Sequence, residues 1–74
     1  MKASEAKAEL LRVEGIKMVK MAKKIIKKAI ANGEDHTILD CNSHSVAKYL
    51  KEELEKLGYR VGITGLTEVH INWG

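Results

Sequence analysis

Apolar residues recur at alternating spacings of four and three along the first half of the chain: Leu11, Gly15, Met18, Ala22, Ile25 and Ala29, with Val19, Ile26 and Ile30 beside them. That spacing is one face of an amphipathic helix. No proline interrupts Ala3 to Asn32, and Asn32-Gly33 is a stop signal, because both residues tolerate the left-handed conformation that ends helices. Ser4 is the expected N-cap, and Glu5 and Glu9 early with lysines late complement the helix dipole. A glycine in a helix interior costs about 1 kcal/mol relative to alanine. Gly15 therefore marks a kink, a close helix contact or a frayed first segment.

After Gly33 the pattern changes. His36 to Cys41, with β-branched Thr37 and Ile38, reads as a short strand. Asn42 or Ser43 then caps a second helix running to about Leu57, with Val46, Ala47, Leu50, Leu54 and Leu57 as its inward stripe. Gly58 is the expected residue beyond its C-cap. Arg60 to Thr64 alternates as a strand with Val61 and Ile63 on one face. Gly65-Leu66 makes a turn, and Thr67 to Trp73 alternates again, with Val69, Ile71 and Trp73 opposed to Glu68, His70 and Asn72.

The element order is helix, strand, helix, strand, strand. A crossover through the second helix predicts that the first two strands run parallel in one sheet, with the third joining the second as an antiparallel hairpin. The expected fold class is α+β: a two-layer sandwich of αβαββ order, its three-stranded mixed sheet covered by both helices on one face.

Composition narrows the class further. Seventy-four residues, 8.3 kDa, hold one domain, residues 1–74, with one small core. Aromatic residues are scarce, with Tyr49, Tyr59 and Trp73 alone and no phenylalanine, so the core must be aliphatic. The single cysteine, Cys41, excludes a disulfide scaffold and points to a reducing cytoplasm. The polar N-terminus lacks the apolar stretch of a signal peptide, and no apolar run approaches the roughly 18 residues of a membrane span. No membrane partner is expected.

The run KKAIANG, the helix ending YLKEELEKLGYRV and the closing strand VHINW resemble small uncharacterised proteins of phages and prophages of Gram-positive bacteria. The resemblance spans roughly residues 20 to 73 and rests on element spacing, the LGY signature and the terminal tryptophan. It implies an accessory gene product that binds and modulates a host or defence component, with no catalytic residue to carry over.

The net charge of +3 is unevenly distributed. Lys17, Lys20, Lys23, Lys24, Lys27 and Lys28 occur between Gly15 and Gly33 without a single acid, on the helix face opposite the apolar stripe. Such a face can follow a phosphate backbone or an acidic partner, or simply be solvated, and no interleaved aromatic or arginine offers base stacking.

A second candidate lies at the junction of the first strand and the second helix, where Asn42, Ser43 and His44 could hold an anion at the free N–H groups. Cys41 and His44 could also form a nucleophile pair, although capping and strand-end burial explain the same residues. Metal binding would have to assemble His36, Cys41, His44 and His70. The second Cys/His pair of a zinc site is missing, so no metal and no cofactor are expected.

The third candidate is the sheet face away from the helices, with Arg60, Gly62, Thr64, Glu68, His70 and Asn72 outward beside Ile38 or Asp40. It lacks the aromatics that RNA-binding sheets stack on bases. Last, the first helix is too long for a sheet of short strands, and Leu10, Val13, Ile16 and Met21 fall outside its main stripe. Residues 1–14 then form an arm that frays or contacts a partner, with a homodimer as the simplest solution. Together these features predict a cytoplasmic, non-enzymatic module that binds a protein, using Leu10, Val13, Ile16, Met21, Arg60, Thr64, His70 and Asn72, and the resemblance implies a host or defence protein as that partner. The alternative is a nucleic-acid binder using Lys17, Lys20, Lys24, Lys27 and Lys28.

Overall fold

The periodic first segment forms one uninterrupted helix, α1 (Ala3–Ala31), in a computed structural model that describes residues 2–74. Met1 of the expected arm lies outside the described residues. The cap differs from expectation: Lys2 occupies the N-cap without a side-chain hydrogen bond, and Ser4 lies inside the first turn. Ala3 and Ala6 carry helical geometry past Ser4, and Glu5 supplies the favourable first-turn charge.

The C-terminal end follows the Asn32-Gly33 signal. Gly33 adopts φ +78°, its N–H donates to Ile30 O at 2.9 Å, and the N–H of Glu34 donates to Ala29 O at 2.9 Å. These paired bonds satisfy carbonyls that the helix end would leave open.

The chain returns through β1 (His36–Asp40) into α2 (His44–Lys56). Ser43 is the N-cap, its hydroxyl accepting from the Val46 N–H at 3.2 Å. Gly58, φ +96°, closes the far end with the same bond pair, to Glu55 O and Leu54 O. Leu57 departs from the expected inward stripe. It is the C-cap, already past the last helical turn, and is 57% exposed. Ile30, at the flank of the α1 stripe, is likewise exposed.

β2 (Arg60–Thr64) and β3 (Glu68–Asn72) form the antiparallel hairpin, turning at Gly65 with φ +66°. The sheet order is β1-β3-β2, and both ladders are antiparallel. β1 and β2 therefore run in the same direction as expected, but β3 lies between them and the sheet has no parallel ladder. The correction has a physical reason. β3 carries the two most buried strand side chains, Val69 and Ile71, whereas Val61 and Ile63 of β2 are half-buried, and the central position gives β3 partners on both edges.

Both helices pack on the inward face of the sheet, and the core is aliphatic: Ala22, Ile26, Leu39, Cys41, Val46, Ala47, Leu50, Leu54, Val69 and Ile71. Tyr59 and Trp73 close one end edge to face, with centroids 6.3 Å apart.

Gly15 resolves to a close helix contact. It is buried, and a Cβ there would stand 2.8 Å from Tyr49 Cγ of α2 and nearer still to the ring edge. Gly15→Ala therefore sets a helix gain of about 1 kcal/mol against an overpacking cost of about 1–3 kcal/mol, and a net loss of stability is expected. Urea unfolding of G15A in the wild-type and Tyr49→Ala backgrounds measures both effects. Stabilisation is expected only in the second, and a more stable G15A on its own would show that the ring moves aside freely.

Candidate binding surfaces

Residues 17, 20, 23, 24, 27 and 28 are all exposed lysines. At about 100° per residue they cover about 140° of the helix circumference, centred opposite Gly15, Ala22 and Ala29, and about 17 Å of its length. None makes an ion pair among the described residues. The pairs present are Arg12 with Glu9, Lys51 with Glu55, Lys56 with Glu53, and two histidine–carboxylate contacts. The charge of this face is thus open to solvent along more than three turns.

The sheet face away from the helices is uncovered. Strand alternation sends Thr37, Leu39, Val61, Ile63, Val69 and Ile71 toward the helices, and nine residues outward in three registered rows. His36, Asn72 and Arg60 form one row, Ile38, His70 and Gly62 the middle, and Asp40, Glu68 and Thr64 the third. Both Ile38 and Asp40 face outward. The face is polarised, with Arg60 at one end and two carboxylates directly opposite each other at the other. In the middle row Ile38 is 52% exposed, and nothing lies within 4 Å of a Cβ built on Gly62, which leaves a notch beside His70. His70 Nε2 donates to Glu68 Oε1 at 3.0 Å, so the carboxylate orients the ring along the central strand.

At the β1–α2 junction the capping account holds for Ser43, while Asn42 is exposed. His44, the first residue of α2, is tied to the β2–β3 turn. Its Nδ1 lies 2.9 Å from Leu66 O, and because a carbonyl only accepts, that nitrogen donates. The Cys41 N–H donates to Thr67 O at 2.8 Å, so the turn is held from two sides. Cys41 itself is 2% exposed, and burial, followed by the neighbouring Asp40 charge, pushes its thiol pKa up. Both effects oppose the thiolate that a nucleophile needs. At the opposite end of β1, a hydrogen bond from His36 holds the exposed Asp35 carboxyl below its usual pKa. Among the described residues, no group of three or more His, Cys, Asp and Glu side chains is placed to hold a metal ion. No helix of the described chain is long and apolar enough to cross a membrane.

Leu10, Val13, Ile16 and Met21 are all exposed, Leu10 most of all at 58%. They do not form one patch: Leu10 and Met21 share a flank of α1, Val13 lies on the outer side, and Ile16 falls on the opposite flank. The Leu10–Met21 flank borders two adjoining shallow grooves of about 320 Å³ and 270 Å³, where α1 passes the N-terminal end of α2. Glu14 and Val46 line both. Residue spacing showed that these apolar residues lay off the main stripe, and the helical angle separates them further. Ile38 at one edge of the middle row was the less visible element, since only strand register shows it beside His70, with Gly62 on His70's other side. No known family model, curated protein or solved structure matches the chain.

Cys41→Ser places a hydroxyl without a partner in the core and is expected to cost about 1–3 kcal/mol in urea unfolding. Native Cys41 should react with a disulfide reagent far more slowly than a free thiol and reach the free rate only in denaturant. Fast labelling of the folded protein would place the thiol at the surface instead.

Proposed function

We propose that this protein is a non-enzymatic binding module of the cytoplasm that attaches to a protein partner through the open face of its sheet and modulates it. The observation that carries this reading is the uncovered, polarised three-by-three face, whose middle row sets an exposed Ile38 and the Gly62 notch on either side of His70. An exposed apolar side chain among polar and charged ones gives a partner an anchor, and opposite charges at the two ends fix its orientation. Arg60, His70, Asn72 and Thr64 form its polar part. The resemblance to small phage and prophage proteins supports a bacterial host or defence protein as the partner class.

Affinity capture from bacterial host lysates should return a stoichiometric protein, lost with Ile38→Asp and with Arg60→Glu while thermal unfolding stays within a few degrees of wild type. Recovery of the same partner by both variants, or nothing above background from several hosts, would count against the sheet face.

A second reading rests on the acid-free lysine face, which suits a nucleic-acid backbone. Counterion release contributes about 0.9 per phosphate neutralised to the log–log salt slope, so six lysines permit a slope of at most about 5 on duplex DNA. Charge reversal of Lys20, Lys24 and Lys27 together is expected to abolish that binding. Absence of binding to mixed DNA and RNA at low salt would end this reading.

A further inference from the structure

The exposed flank of α1 carries a self-complementary pattern. Leu10, Glu14, Lys17 and Met21 follow one another at spacings of four, three and four, and all four are exposed. At about 100° per residue they fall within about 60° of the helix circumference, forming one seam beside the groove at α2. Neither Glu14 nor Lys17 forms an ion pair among the described residues.

We infer that a second copy of this chain occupies that seam, its α1 running antiparallel about a two-fold axis that passes between Glu14 and Lys17. In this register Leu10 of each chain faces Met21 of the other, and Glu14 of each faces Lys17 of the other. Two apolar contacts thus flank two opposite-charge contacts. The spacing supplies the alternating positions at which helices pair side by side. An isologous interface must match itself under its own two-fold, and this one does.

Charge selects the direction. A parallel pairing would set Leu10 against Leu10 but also Glu14 against Glu14 and Lys17 against Lys17. Only the antiparallel arrangement pairs opposite signs. Farther out, Lys7 faces Lys24, so the attraction is concentrated in the four central positions and the helix ends splay. The partner helix also covers Leu10 and Met21, at 58% and 49% two of the most exposed large apolar side chains of α1. The other solvent-facing lysines, Lys20, Lys23 and Lys27, and the whole open sheet face stay outside this contact. The inference therefore does not rest on the function proposed above.

The test is a charge-reversal set read by sedimentation velocity on the full chain across 5–200 μM. Wild type is expected to sediment as a dimer, twice the 8.3 kDa chain mass, at the upper concentrations. Glu14→Lys alone and Lys17→Glu alone each create two like-charge contacts by symmetry, and each is expected to raise the dimer Kd at least about tenfold. An equimolar mixture of E14K and K17E chains restores opposite signs at both contacts and should recover the dimer as a heterodimer. Far-UV circular dichroism of each single variant at low concentration separates loss of pairing from loss of helix. A monomer at 200 μM wild type, a dimer indifferent to both single reversals, or a mixture that stays monomeric while both variants remain helical would each overturn the antiparallel pairing.

Discussion

Everything in this chain depends on how closely α1 can approach the elements beneath it. Gly15, Ala22 and Ala29 lie seven residues apart and are all buried, and the first meets the ring of Tyr49 with no room for a Cβ. Small side chains at that spacing bring a helix backbone near its neighbours, while Met18, Ile25 and Ile26 fill the space between. A helix period of 3.6 residues moves a seven-residue repeat by about 20° per step, so the small stripe winds slowly around α1 and stays in contact over its middle and C-terminal parts. The opposite side of the helix is then fixed as well: it carries the lysines because nothing else in so small a protein can cover it.

The sheet supplies the second constraint. With five residues per strand, each strand is about 17 Å long, whereas the 29 residues of α1 extend about 43 Å, close to the 46 Å longest dimension of the molecule. The N-terminal turns of α1 therefore run beyond the sheet and meet only the beginning of α2. Leu11 packs against the core there, but Leu10, one residue earlier and about 100° around the helix, only borders the groove at α2 and stays 58% exposed. The mismatch of lengths leaves apolar surface on one flank of an otherwise completed fold.

Most of the architecture was legible from local signals. Gly33 and Gly58 marked both helix ends, Asn42-Ser43 marked the start of α2, β-branched residues located β1 and alternation located β2 and β3, because caps and side-chain periods are decided by neighbours in sequence. Strand order was not. Whether β3 lies outside β2 or between β1 and β2 leaves every local pattern unchanged and is settled only by which strand buries Val69 and Ile71 on both sides of its ladder. The same limit applies to the surfaces. The lysine run is visible in the sequence at once, but the rows Ile38–His70–Gly62 and Asp40–Glu68–Thr64 exist only through register, and Ser4 looked like a cap because no local rule says where helical geometry first becomes stable.

The three surfaces also have a fixed relation. In a two-layer sandwich, the outer side of the helices and the uncovered side of the sheet point away from each other, and the Leu10–Met21 flank lies on the side of α1 between them. A protein docked on Ile38 and Arg60 and a polyanion lying along Lys20, Lys23 and Lys27 would approach from opposite directions and need not compete. Pairing of two α1 flanks would duplicate both outer surfaces in one assembly, turning two weak contacts into a bivalent one whose strength depends on the spacing of the target sites. With eleven buried hydrophobic residues among those described, so small a fold has limited interface area of its own, and such multiplication would give more affinity than that area could supply.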